Sequence, residues 1–217
     1  MAVLVTRPHP DGETTAASLR ARGFAVMSAP MLRFEPLPFR DDEDANYGAV
    51  IATSANALRG VEPQLAGSAL LKLPLLAVGE HTAAAASHAG FTKVITAGGD
   101  GAALRDLAGE LSKDGFTVVT QTTYKMVPAK SLPREVCDAF VAGEIEAVLH
   151  YSRRSARAFL DAARDGGVEI SALALPQCCI SAGVAAIVRE AGASQVAVAS
   201  SADENALFEA LTRALQA

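Results

Sequence analysis

Five short turns in this sequence carry hydroxyl and guanidinium groups in patterns suited to holding anions. They are Thr6-Arg7-Pro8, Thr53-Ser54-Ala55-Asn56, Gly79-Glu80-His81-Thr82, Ser152-Arg153-Arg154-Ser155 and Ser181-Ala182-Gly183, and each leads from an apolar run into a helix-like stretch. A helix start offers backbone N–H groups without intrahelical partners and a partial positive charge, which favours carboxylates and phosphates. Any one Ser or Thr there also suits a simple N-cap. The recurrence of the turns is what points to a shared binding edge. Other chemistries lack their residues. Gly98-Gly99-Asp100-Gly101 has neither the G-x-G-x-x-G spacing nor a phosphate-loop lysine, so it reads as a turn and helix cap. No G-x-S-x-G or H-E-x-x-H is present. Cys137, Cys178 and Cys179 form no C-x-x-C, and His9, His81, His88 and His150 lie in unrelated contexts, so neither a metal nor another cofactor is expected. An odd cysteine count with a vicinal pair suits free thiols in a reducing compartment.

The elements that position these turns are legible as an alternation. Short apolar runs occur at Val3–Val5, Phe24–Met27, Ala49–Ala52, Leu75–Val78, Lys93–Thr96, Phe116–Val119, Ala147–His150, Cys178–Ile180 and Gln195–Val198. They are continuous, as strands buried on both faces are. Helix-like stretches lie between them, among them Thr14–Arg22, Glu80–Ala89, Arg154–Ala163, Val184–Ala191 and Asn205–Leu215. Several stop at Gly23, Gly90, Gly115 or Gly192, where a left-handed cap fits. Alternating strand and helix predicts parallel α/β sheets, and the turns then share the carboxyl edge, where open α/β folds bind ligands.

The sequence also repeats itself. YGAVIATSANAL at 47–58 resembles IEAVLHYSRRSARAF at 145–159, LLAVGEHTAAAASHAG resembles CCISAGVAAIVREAG, and KVITAGGDGAALRDL resembles QVAVASSADENALFEAL. An offset of about 100 residues, kept over three successive units, predicts two similar lobes rather than a solenoid. Pro30–Asp44, with three prolines and the acidic run Asp41–Asp44, and Thr122–Pro133 read as connections. The expected division is a discontinuous lobe of residues 1–34 and 131–217, a second lobe of 37–121, and crossings at 33–38 and 122–130.

Composition bounds the function. The chain has 217 residues, 50% hydrophobic and 20% charged, with a formal net charge of -5. That excludes disorder and argues against nucleic-acid partners, which call for a basic footprint. Leu70–Val78 is interrupted by Lys72 and Pro74 and is too short to cross a bilayer, and the opening MAVLVTRP reads as a strand rather than an export signal. A soluble, cytoplasmic monomer acting on a small molecule is expected.

Together these pieces resemble the uroporphyrinogen-III synthase family. VLVTRP, AVIATSANAL, LAVGEHTAAAASHAGF, TYKMVPA, VLHYSRRSARAF and the helix after SSADENAL carry the resemblance over nearly the whole chain. It implies two flavodoxin-like α/β lobes joined by a two-stranded connection, with an active cleft between them. It also implies closure of the linear tetrapyrrole hydroxymethylbilane to uroporphyrinogen III, with inversion of the terminal ring, in tetrapyrrole biosynthesis. By the resemblance Tyr124 is the cleft tyrosine and catalytic acid. Thr6, Arg7, Thr53, Ser54, Thr82, Ser152, Arg153, Ser181 and Gly183 are substrate-binding. The sequence departs from the family's pattern twice. Ile180-Ser181-Ala182-Gly183-Val184-Ala185 has serine for the usual glycine and lacks the usual threonines. The second lobe, with four apolar runs against five, is one βα unit short. Both departures keep open a non-catalytic bilobed binder or sensor of a tetrapyrrole or another multi-carboxylate ligand.

Overall fold

The computed structural model describes residues 1–40, 45–97 and 109–216, with only the backbone of Ala97. The acidic run Asp41–Asp44 and the glycine-rich Gly98–Gly101 lie outside the described residues. The strands are β1 (Ala2–Val5), β2 (Ala25–Ser28), β3 (Leu32–Pro36), β4 (Val50–Ala52), β5 (Leu75–Val78), β6 (Val94–Ala97), β7 (Tyr124–Pro128), β8 (Ile145–His150), β9 (Gln177–Cys179) and β10 (Val196–Val198). The helices are α1 (Asp11–Ala21), α2 (Ala55–Leu65), α3 (Gly79–His88), α4 (Arg134–Val141), α5 (Arg153–Asp165), α6 (Glu169–Leu173), α7 (Ala182–Glu190) and α8 (Glu204–Gln216). Contacts divide the chain into unit 1, Met1–Phe34 with Met126–Ala217, and unit 2, Glu35–Lys125.

Unit 1 is a parallel sheet in the order β2-β1-β8-β9-β10. Counted within the unit this is 2-1-3-4-5, the flavodoxin-like doubly wound order, which reverses between β1 and β8. Strand side chains alternate between two helical layers. Val3, Val5, Ala147, Leu149 and Cys178 pack with Leu19 of α1 and Leu207, Phe208 and Leu211 of α8. Leu4, Val148 and Cys179 pack with Val136 and Phe140 of α4, Phe159 and Leu160 of α5 and Val184 and Val188 of α7. Burial on both faces is why these strands read as unbroken apolar runs. In α5 the buried Ala156, Phe159, Leu160 and Ala163 recur at helical spacing, so one stripe faces the sheet. Cys137, Cys178 and Cys179 are free thiols, and burial pushes Cys178 and Cys179 up to about 12. They pack as small apolar side chains.

Unit 2 holds a parallel sheet in the order β4-β5-β6, over a core that includes Leu58, Leu75, Ala77, Ala86 and Phe91. The run Phe116–Val119, which the sequence predicts as a strand, is irregular backbone. Its Phe116 N–H donates to Leu111 O, closing the preceding helical turn, and Phe116 and Val119 stay 62% and 57% exposed. Apolar content alone suggests the strand, and among the described residues no sheet strand pairs with it. The described sheet therefore has three strands against five in unit 1, where the sequence suggests four against five.

The four predicted helix stops all take positive φ: Gly23 +89°, Gly90 +102°, Gly115 +88° and Gly192 +100°. β3 and β7 form a two-stranded ribbon that carries the chain through both crossings. Ala129 N–H donates to Met31 O and Leu37 N–H to Thr123 O, a descending register that makes the ribbon antiparallel. Lys125 Nζ pairs with Glu35 Oε2 across it at 2.8 Å. Among the described residues no helix is long and apolar enough to cross a membrane.

Candidate functional site

In unit 2 the site grows from the step between β4 and α2. Ser54 has an extended backbone and caps α2, its hydroxyl accepting from Ala57 N–H at 3.1 Å. The same hydroxyl donates to the Tyr124 phenol oxygen at 3.3 Å. Two contacts bring Tyr124 there. Thr123 Oγ1 donates to Ala57 O at 2.9 Å, and Gly60 lies so close that a Cβ on it would sit 2.4 Å from Thr123 O. Any side chain at 60 would push β7 off α2. Tyr124 is half-buried, and Thr53 beside Ser54 is exposed. Thr82 lies in the first turn of α3 and is buried at 4% exposure, among packing side chains. β4 and β5 pair in register from Val50 with Leu75 to Ala52 with Ala77, so Ser54 and the start of α3 share one sheet edge.

In unit 1 the edge lies where the strand order reverses. Thr6 is fully buried, and its hydroxyl donates to Leu149 O at 2.7 Å, tying β1 to β8. Arg7 follows. Its Nη1 donates to Glu204 Oε1 at 3.1 Å and to Thr15 Oγ1 at 3.2 Å, and its Nη2 to Asp11 Oδ2 at 3.4 Å. Glu204 Oε1 also accepts from Thr15 Oγ1 at 2.5 Å and from the Tyr151 phenol at 3.0 Å. The guanidinium lies 4.7 Å from the centre of the Tyr151 ring. A Cβ on Gly12 would sit 2.5 Å from Arg7 O, so this close approach of α1 also needs a glycine. Burial, then the neighbouring Glu204 carboxylate, pushes the Tyr151 phenol well above its ordinary range.

A cavity of about 370 Å³ opens at this point. Arg7, Tyr151, Ser152, Ser155, Asp203 and Glu204 give its polar wall, and Pro8, Leu32, Ile180 and Ala202 its apolar one. Ser152 caps α5, accepting from Ser155 N–H at 3.1 Å. Asp203 Oδ1 accepts from Ala206 N–H at 2.9 Å. Hydrogen bonds from the Ser201 hydroxyl, then from this N–H, hold the Asp203 carboxyl below the usual range. Arg153 is exposed, and its Cδ would lie 3.9 Å from a Cβ on Gly183, so the stem crosses the first turn of α7. Ser181 stands at the N-cap of that helix but makes no side-chain cap bond. Arg154 Nη2 donates to Met126 O at 2.9 Å. A second cavity of about 370 Å³ lies in unit 2 against α2 and α3, beside Arg59, Glu62, His81 and His88, and none of the strand-end hydroxyls lines it. Among the described residues no three His, Cys, Asp or Glu side chains gather where they could hold a metal.

Sequence reasoning missed Glu204, Tyr151 and His150. Tyr151 stands beside Ser152 in a strand-end turn, so its signal was present. Glu204 meets Arg7 across 197 positions of sequence, and nothing local marks that pairing. His150 is fully buried, with its ring 5.3 Å from that of Phe159. Gln177 Nε2 donates to Ala172 O and Leu175 O, which turns Gln177 Oε1 toward His150 Nε2 at 2.8 Å. The proton therefore sits on Nε2, and Nδ1 is a buried acceptor without a partner among the described residues. Burial lowers this imidazole to about 4, against the opposing bond to Gln177.

The uroporphyrinogen-III synthase (HemD) family model matches residues 13–107 and again 102–209. The chain belongs to the uroporphyrinogen-III synthase family. The double match reflects the internal repeat, and membership brings the chain into tetrapyrrole biosynthesis, among lyases of the porphyrin and haem pathways. Solved structures repeat the fold at low identity. A mutant uroporphyrinogen III synthase from the extremely thermophilic bacterium Thermus thermophilus is 18% identical, with a TM-score of 0.56 over 100% of this chain and 99% of that one. The wild-type form is 19% identical, with a TM-score of 0.51 over 100% and 98%. A third Thermus thermophilus uroporphyrinogen III synthase structure is 20% identical, with a TM-score of 0.50 over 100% of both chains. No curated protein matches the chain.

Proposed function

We propose that the chain converts hydroxymethylbilane to uroporphyrinogen III, with net loss of one water and inversion of the terminal pyrrole. The bilane loses its hydroxyl to give an electrophilic azafulvene. The far ring attacks through its substituted carbon, and the resulting spiro intermediate fragments and recloses with that ring reversed. The uncatalysed azafulvene closes to the type I isomer, so the catalyst must hold the chain in the folded geometry that favours inversion. Orientation of this kind supplies up to roughly 7–11 kcal/mol in favourable cases.

One observation carries the reading: Ser54 donates to the oxygen of Tyr124. A donor at that oxygen stabilises the phenolate that forms when Tyr124 gives its proton to the departing hydroxyl. A phenol so placed is a weak general acid for the first step. Arg153, exposed and without a carboxylate partner among the described residues, and the N–H groups at the start of α7 hold substrate carboxylates. Ser181 adds there a hydroxyl that does not cap the helix, and Gly183 stands next to the Arg153 stem. Thr53 lies open beside Ser54, whereas Thr6 and Thr82 are buried and build the edges, and Ser152 caps α5 on the wall of the unit-1 cavity.

The test supplies freshly generated hydroxymethylbilane and separates the product isomers. Type III in excess over the enzyme-free control is the expected result. A type I product identical to that control rejects the reading and leaves a non-catalytic binder.

A further inference from the structure

Among the described residues that wall the unit-1 cavity, Arg7 is the one cation. It already faces two carboxylates, Glu204 on Nη1 and Asp11 on Nη2. The side chains of Arg7 and Glu204 are each 29% exposed, so the pair is largely shielded from the water that would screen it. Glu204 is itself fixed by donors from Thr15 and Tyr151. Asp203 adds a further negative charge on the same wall. An incoming carboxylate therefore meets a neutralised guanidinium and an excess of like charge. An uncharged ring meets the Tyr151 ring and the apolar side chains of Pro8, Leu32 and Ile180.

We propose that Glu204 is a specificity-determining residue. By holding Arg7 and Tyr151 it closes the unit-1 cavity to carboxylates and makes it a subsite for an uncharged heteroaromatic ring. For the natural ligand this rests on the synthase reading: the ring is one pyrrole of the bilane, and its carboxylates stay outside the cavity.

The proposal is tested by amide NMR titration of the intact chain at neutral pH with two probes of one shape, pyrrole-2-carboxamide and pyrrole-2-carboxylate. In the wild type the carboxamide shifts the signals of 151–155 and 203 and binds at least tenfold more tightly than the carboxylate. Glu204→Ala frees Arg7, so the carboxylate gains at least tenfold, and the gain disappears when Arg7→Ala is added. A merely structural role for Glu204 lowers the affinity for both probes together. Should Glu204→Ala not fold, Glu204→Gln keeps an acceptor but not the charge, and it narrows the carboxamide preference at least threefold. The proposal is overturned if the wild type binds the carboxylate there as tightly as the carboxamide, or binds neither. It is also overturned if the variants that fold keep the wild-type preference. No turnover is measured, so a wild type that makes only type I product overturns the synthase reading and leaves this result to be judged separately.

Discussion

Unit 1 and unit 2 share one building plan and differ in what stands next to it. The series β8-α5-β9-α7-β10 in unit 1 matches β4-α2-β5-α3-β6 in unit 2, and at the same step Ser152 and Ser54 cap the first helix. The partner of that serine comes from a different place in each. Ser54 reaches Tyr124 of β7, whereas Ser152 meets the Ser155 hydroxyl at 3.0 Å. Unit 1 adds β1, β2 and α1 beside the repeated series, and with them Arg7 at the reversal of strand order. At the second step α3 opens on Gly79 with φ +73°, while α7 opens on Ser181 with no side-chain cap. The repeat thus supplies a serine cap at the same step in both units, and segments outside it set what stands beside each: the Tyr124 phenol at Ser54, and Arg7 with its carboxylate partners at the unit-1 edge.

Four changes break or sharpen that contrast, from the largest effect to the smallest. Phe159→Ala removes a fully buried ring between α5 and the unit-1 sheet. It costs about 3–5 kcal/mol in urea unfolding, and a loss below about 1 kcal/mol removes α5 from the core.

The second is pH, and it acts on unit 1 through His150. The unfolded imidazole takes up its proton near pH 6.5, whereas the buried one waits until about 4. The lowered folded value means that stability is full above about 6.5, drains as pH falls to about 4, and then levels. The loss is about 3 kcal/mol, from roughly 1.4 kcal/mol per unit. Urea unfolding of the wild type and His150→Gln at pH 7.5 and 4.5 reads it, and equal losses in the two proteins remove His150 as the cause.

Third, Tyr124→Phe lowers kcat by roughly a hundredfold, about 2.7 kcal/mol, while melting stays near that of the wild type. Initial rates on hydroxymethylbilane check this, and an unchanged rate ends the acid role. Last, the caps separate by context. Ser54→Ala and Ser152→Ala each lose about 1 kcal/mol of stability, whereas Ser181→Ala loses roughly 0.3 kcal/mol or less. Equal losses at all three positions, read by thermal melting, erase the difference between the helix starts.

Much of this was legible from residue order. The apolar runs of β1, β5, β8 and β9 announce strands because both faces are covered, and Ser54 and Ser152 announce caps because the serine precedes the helical period. Phe116–Val119 misled, since apolar content does not supply a neighbouring strand. The helix expected after Thr53-Ser54-Ala55-Asn56 is α2, and it continues to Leu65 with Pro63 inside it. Arg7 read as a free anion ligand because its carboxylate partner Glu204 enters from the far end of the chain. The orphaned Nδ1 of His150 follows from how Gln177 is oriented, and no spacing encodes that.

The isomer ratio from a common time course of wild type and Tyr124→Phe on freshly generated hydroxymethylbilane tests the central claim most directly. The account predicts mostly type III from the wild type. It predicts slower type III from Tyr124→Phe, with a larger type I share as spontaneous closure competes. Type I alone from the wild type, or identical rates and ratios from both proteins, contradicts it.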